Sequence, residues 1–227
     1  MLKVEPAPDY PPEEGRYLRG NDYSPVAVAV ILNYPQEEIP PDIENLVRVG
    51  VETGAALSGT LQTENVGVEK ILCNVVSNPN IRFLVICGAE SPGHHCGQTL
   101  ISLVENGVDG RRRIPGSEAQ TPYLFNVPLE SVERFRRQIR IVNLIDEGDP
   151  ELLRRAVWSC YQEAPTEFRG QDLCDPGAYP EPPLSGRLTW RVTKPELEPK
   201  DESERDQRDK LRALMKRLDR ASRAKRT

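Results

Sequence analysis

The two histidines of this chain stand side by side in Cys87-Gly88-Ala89-Glu90-Ser91-Pro92-Gly93-His94-His95-Cys96-Gly97-Gln98. A neutral imidazole in such a loop can serve as a metal ligand, a base, or a polar cap on a helix end. His94, His95 and Cys96 do not form a zinc site by themselves, because consecutive helical residues point in different directions rather than at one ion. A nucleophilic pairing of Cys96 with His95 stays open as a small-molecule hydrolase or transferase reading. Such pairs are usually assembled from distant segments, and this chain has no distant histidine. Gly88, Gly93 and Gly97 match neither the dinucleotide fingerprint nor the phosphate-cradling P-loop. Arg111-Arg112-Arg113 could bind an anion but reads more simply as a solvated loop.

The elements that must position this loop are legible as periodicities. Val26 to Leu32 and Ile81 to Cys87 are continuous apolar runs of strand length, as expected of strands buried on both faces. Ile139 to Ile145 reads as a third strand. Pro40-Pro41-Asp42 opens a helical pattern through Leu46, Val49 and Leu57 that closes near Gly59. Further helices are expected at 65–77, at 95–106, from Leu129 to about Arg137, and after Asp149-Pro150, where Asp149 is the cap and Pro150 sits in the first turn. Residues 111–126 are irregular. Strands separated by helices predict an α/β fold with a Rossmann-like, mostly parallel sheet, flanking helices, and ligands at the carboxyl ends of the strands. The two-histidine loop occupies such an end.

Four regions follow: an extended arm at 1–24, the α/β domain at 25–163, a proline-rich connection at 164–199, and a charged segment at 200–227. In the last, Leu211, Leu214, Met215 and Leu218 make one apolar stripe, expected to form a docking helix for a partner or for a second copy of the chain in a homo-oligomer. No internal repeat is visible.

Composition removes several classes. No stretch approaches the roughly 20 apolar residues that a membrane span needs, and no apolar signal core precedes Gly20. Five cysteines, an odd number without Cys-x-x-Cys spacing, argue against a disulfide framework and fit a reducing cytoplasm. The net charge of −5 is uneven: eleven Lys/Arg stand against six Asp/Glu from Lys200 onward, leaving residues 1–199 at −10. An acidic body repels a phosphate backbone, so nucleic acid is not an expected ligand of the main domain.

At the histidine loop a resemblance becomes specific. Gly93-His94-x-x-Gly97-Gln98, following a strand that ends in Gly88-Ala89-Glu90, resembles the A subunit of tetrahydromethanopterin S-methyltransferase, which is the corrinoid-carrying one. The same family is matched in order and spacing by Gly59-x3-Thr63-Glu64-Asn65-x-Gly67-x-Glu69-Lys70, by Asn74-x-x-Ser77-Asn78-Pro79-Asn80-Ile81-Arg82-Phe83 and by Glu105-Asn106-Gly107-Val108-Asp109. Asn126-Val127-Pro128 and Val132-Glu133-Arg134-Phe135 extend the match, which covers roughly residues 11–163.

The resemblance implies that His94 is the lower axial ligand to the cobalt of a cobalamin or related cobamide. It also implies a corrin pocket lined by Thr63, Glu64, Asn65, Gly67, Gly88, Glu90, Gly93, Gly97, Gln98 and Gly116. The implied role is that of a methyl carrier. The cobalt accepts a methyl group from a methylated pterin (of the tetrahydrofolate or tetrahydromethanopterin type) and yields it to a second nucleophile, typically a thiolate. The implied partners are a second methyl-transferring or acceptor protein and a pterin-dependent methyltransferase subunit. Other corrinoid carriers use Asp-x-His-x-x-Gly, in which the Asp orients the imidazole; here Pro92 stands at that place, so Glu90, Gln98 or a backbone carbonyl must orient His94 instead. His95 is an addition to the family pattern. The relatives' C-terminal membrane anchor is replaced here by the proline-rich and charged segments, so sodium transport through this chain is not expected. A scaffold that binds no corrinoid is the alternative from another class.

Overall fold

A computed structural model describes residues 2–33, 39–184, 188, 201–207 and 210. Its centre is a pair of strands, β2 (Val26–Ile31) and β4 (Phe83–Gly88), buried along their whole length as their unbroken apolar runs predict. They pair in parallel, Val28 opposite Val85, and β5 (Arg140–Ile145) joins β4 in the same sense. On the other side of β2 lie β3 (Leu57–Leu61), parallel, and β1 (Tyr17–Arg19), antiparallel at the edge, giving the order β1-β3-β2-β4-β5.

Helices cover both faces. Val26, Val28 and Val30 of β2 and Phe83 and Val85 of β4 meet α1 (Pro41–Glu52) and α5 (Pro150–Cys160) through Ile43, Leu46, Leu153 and Val157. The alternate residues, Ala27, Ala29, Ile31, Leu84 and Ile86, meet α2 (Val66–Val76), α3 (Cys96–Asn106) and α4 (Leu129–Gln138) through Val68, Leu72, Leu100, Leu103 and Phe135. Asp149 caps α5, its carboxylate accepting from the Glu151 N–H at 3.0 Å, with Pro150 in the first turn as expected.

Two expectations are corrected. The first helix does not run to Gly59: α1 ends at Glu52, Gly54 turns the chain at φ +113°, and Leu57–Leu61 is the strand β3. Leu57 falls at a helical interval from Leu46 and Val49, but it packs from the sheet. The connection after α5 begins with a hairpin, β6 (Thr166–Phe168) and β7 (Gln171–Leu173), joined by Arg169 and Gly170, both at positive φ as a tight hairpin turn requires. Phe168 and Leu173 are buried in the α1–α5 core.

The N-terminal segment is fastened to the body. Val4 exchanges hydrogen bonds with the Asn80 side chain, and Asn78 and Asn80 both donate to the Asp22 carbonyl. Gln138 donates to the carbonyls of Val75, Asn78 and Ile81, tying α4 to the turn before β4.

Residues 1–190 form one unit and 191–227 a second. In the second, residues 202–207 are helical, with the Asp201 carboxylate accepting from the Glu204 N–H. The stripe Leu211, Leu214, Met215 and Leu218 lies outside the described residues. Among the described residues no helix is long and apolar enough to cross a membrane.

Within the first unit, Arg134 is 1% exposed. Its guanidinium donates to the Gln138 side chain and to the carbonyls of Glu181 and Pro182, and it stacks 4.3 Å from the Tyr179 ring centre. Arg134→Ala should therefore cost about 3 kcal/mol, since it strips buried acceptors of their donor. Arg134→Met should recover part of this by refilling the volume; urea unfolding midpoints of the two variants measure both.

Candidate functional site

The chain passes from β2 to β3 on one side and then returns to β4 on the other, so the carboxyl ends of β2 and β4 flank the point where the winding reverses. In open α/β sheets a crevice forms there. After β2, the Asn33 side chain donates at 3.0 Å to the carbonyls of both Ala89 and Glu90. After β5, the Asp146 carboxylate accepts from the Glu90 N–H at 2.9 Å. The loop following β4 is thus pinned from both neighbouring strands.

Glu90 completes the anchorage. Its Oε1 accepts from the N–H groups of Ser91 and Gly97, and its Oε2 from that of Gln98 at 2.7 Å. A carboxylate on the free N–H groups of α3 satisfies donors the helix cannot, and it complements the positive end of the helix dipole. Gly97 is closely packed: a Cβ there would stand 2.7 Å from Ile31 Cδ1 and 2.9 Å from Ile145 Cδ1, so those side chains would have to shift. Gly88 and Gly93 carry the positive φ angles, +90° and +81°, that turn the chain out of the strand and back toward the helix.

His94 projects from this turn with its side chain 60% exposed, and its Nδ1 lies 2.8 Å from Glu64 Oε2. Glu64, in the turn before α2, is only 2% exposed. Its other oxygen accepts from Thr121 twice, from Oγ1 at 2.6 Å and from the backbone N–H at 3.2 Å. Burial by itself would raise the Glu64 carboxyl, but the bonds from the Thr121 hydroxyl, from backbone N–H and from His94 outweigh it. They hold the group below its ordinary range. An ionised carboxylate only accepts, so Nδ1 carries a proton, and in the neutral ring Nε2 then holds the lone pair. That arrangement is suited to ligating a metal through Nε2.

The orienting group is therefore Glu64, and neither Glu90 nor Gln98 takes that part. Gln98 bridges elsewhere, donating to the Gly116 carbonyl and to Ser102 and accepting from the Glu118 N–H. Gly116 is the partner of that bridge, at φ +83°. Thr63 caps α2 by accepting from the Gly67 N–H at 2.8 Å, so that glycine lies in the capped turn. Asn65 donates to Thr121 Oγ1 at 3.2 Å. Glu64 and Asn65 thus both bond Thr121, and Glu64 in turn bonds His94. Thr121 belongs to the stretch that reads as irregular in the sequence and was not a candidate there. Asn33 and Asp146 were not candidates either, and nothing in their local pattern marks them.

His95 takes the left-handed conformation, φ 42°, at the start of α3 and makes no capping bond with its side chain. Cys96 is fully buried, and burial is the main cause that pushes its thiol up to about 11. A thiol that is neither accessible nor ionised does not serve as a nucleophile, which removes the support for a Cys96–His95 pair. All five cysteines are free.

Fold and site define an α/β protein that presents one carboxylate-buttressed imidazole at the reversal point of a parallel sheet. The family model for the A subunit of tetrahydromethanopterin S-methyltransferase matches residues 3–174, and the chain belongs to that family. It is 42% identical over 172 residues to the A 1 subunit of Methanothermobacter marburgensis, covering 75% of this chain and 68% of the relative. With the A 2 subunit of Methanothermobacter thermautotrophicus the identity is 40% over 186 residues, covering 81% of this chain and 90% of the relative. With the A subunit of Methanocaldococcus jannaschii it is 39% over 183 residues, covering 80% and 67%.

The lowered carboxyl of Glu64 sets a pH dependence. A folded-state value below the unfolded one contributes stability that is complete above the ordinary carboxylate range, about pH 4.3. That contribution fades as pH falls through the lower folded value. Glu64→Gln should accordingly be less stable than the parent at neutral pH, with the gap closing at acid pH. Urea midpoints measured across a pH series check this.

Proposed function

We propose that this chain is a corrinoid protein that carries a methyl group between a methylated pterin and an acceptor, acting with partner methyltransferase subunits. The observation that carries the reading is His94: an exposed imidazole whose Nδ1 is held by a buried carboxylate, so that Nε2 is not the nitrogen engaged by it. Among the described residues no three His, Cys, Asp or Glu side chains converge on a point. A bare ion would therefore lack a three-ligand protein set here, whereas a metal already held by a macrocycle needs only one protein ligand. The donor set fits a cobamide.

Bound there, a cobamide would supply a cobalt centre that takes up a methyl group from one partner and releases it to a nucleophile of another. His94 would hold the metal through Nε2, and Glu64 would keep the proton on Nδ1 so that the Nε2 lone pair is available to it. Glu90, Asn33 and Asp146 hold the backbone of the ligand loop. The relatives are named as subunits of a methyltransferase, which supports a place in such an assembly with an acceptor protein and a pterin-dependent partner.

Reconstitution tests this. Purified protein incubated with cobalamin should retain a coloured, stoichiometric complex after gel filtration. With 15N-histidine labelling, the electron paramagnetic resonance of the cobalt(II) form should show splitting from a protein imidazole. His94→Ala should abolish that splitting and His95→Ala should leave it. Protein that remains colourless would establish the scaffold alternative, and loss of splitting in His95→Ala alone would move the ligand by one residue.

A further inference from the structure

We propose that the outer edge of β1 and the groove between β1 and α1 receive an extended segment of a partner protein. The segment carries an apolar residue flanked by carboxylates and adds to the sheet as a further strand. The inference goes beyond the cofactor reading and does not rest on it.

β1 is bonded on one side only. The Arg16 carbonyl accepts from the Thr60 N–H and the Gly20 N–H donates to the Ala56 carbonyl, both at 2.9 Å, and Leu18 stands opposite Ser58 between them. The backbone groups of an antiparallel strand alternate in direction, so those of Tyr17 and Arg19 turn away from β3. Among the described residues no strand pairs with that outer edge. Its N–H and C=O groups are what an added strand bonds. Many natural edges are guarded by a charge standing in the path of a newcomer. Here the guanidinium of Arg19 is drawn off to the Asp22 carboxylate and the Tyr10 carbonyl, and the middle of the edge is Leu18, 46% exposed.

Beside this edge lies a groove of about 590 Å³, with Leu18, Ile39 and Val47 as apolar walls and Arg16, Glu44 and Arg48 as its charged groups. Side chains alternate along a strand, so an added segment sets every second residue over the groove, next to Leu18 and Arg16. The lining fixes the sign of that segment. Residues 1–199 carry a net charge of −10, yet two guanidiniums stand here against one carboxylate. Arg48 donates to Asn45 at 2.7 Å and lies 3.8 Å from Glu52, with its side chain 61% exposed. A guanidinium has five N–H donors, so Arg48 keeps donors for an incoming carboxylate. A second copy of the chain would instead bring two more guanidiniums to the same place. Three strand spacings, about 14 Å, separate β1 from β4, whose loop carries His94. A partner held at β1 therefore leaves the histidine loop uncovered.

The test uses the full chain and a fluorescein-labelled pentapeptide, valine-leucine-valine between two aspartates, with a second peptide carrying lysines in place of the aspartates. Anisotropy should show saturable binding of the aspartate peptide, about 10-fold or more tighter than that of the lysine peptide, and weaker at high salt. Methylating the backbone nitrogens of the aspartate peptide should abolish binding, because the edge bonds are then lost. Leu18→Glu and Arg48→Glu should each weaken the aspartate peptide about 10-fold; either serves if the other fails to fold. In the free protein the Tyr17 and Arg19 amides should exchange rapidly with solvent, the Leu18 amide slowly, and the peptide should slow the first two. Absence of binding up to about 1 mM overturns the proposal. So does equal binding of the lysine or methylated peptide, or undiminished binding by the folded variants. Slow exchange at Tyr17 and Arg19 in free monomer would mean that the chain covers its own edge. Sedimentation of a dimer that Leu18→Glu dissociates would make a second copy the occupant. Either result overturns the proposal as well.

Discussion

A carboxylate taken almost out of water must be surrounded by donors or it will not stay ionised, and Glu64 finds its donors in segments 30 and 57 residues away along the chain. That requirement binds three otherwise separate pieces: the turn before α2, the loop between β4 and α3, and the irregular stretch that carries Thr121. Each piece is weakly structured by itself. Their common dependence on one buried charge brings them to one place, and the charge holds a proton on His94 Nδ1.

The sheet makes this convergence possible. β2 and β4 are buried on both faces, so their register is fixed by side-chain burial from two sides. Their carboxyl ends then lie at fixed places, and the loops leaving them are clamped by short polar contacts, Asn33 to Ala89 and Glu90, Asp146 to Glu90. Glu90 contributes order to the site through the helix, because its oxygens are occupied by the free N–H groups of α3. Two carboxylates near one histidine therefore have different work: one aligns the helix and the other aligns the ring.

The parts of this architecture that follow local rules were legible in the sequence. The central strands announced themselves as the continuous apolar runs Val26 to Leu32 and Ile81 to Cys87, α5 by Asp149-Pro150, and the loop after β4 by its two histidines. β3 was not legible, because Leu-Ser-Gly-Thr-Leu is short, has glycine at its centre, and places Leu57 in phase with the helix before it. The β6–β7 hairpin has three-residue strands with little apolar character, and Arg169-Gly170 was its only local sign. Glu64 appeared among the family motifs, but its pairing with His94 is a contact across the fold, and no spacing rule reaches that far. Thr121 had no sign at all, since a threonine in a Gly/Pro-punctuated stretch looks the same whether or not it anchors a carboxylate.

Arg134 completes its hydrogen bonds with Glu181 and Pro182 and lies on the ring of Tyr179. Residues 179–182 have entered the polar satisfaction of the α/β body, so they are not free to drift as a linker would. A change at Arg134 and a change at Tyr179 are, for this protein, changes to one and the same joint.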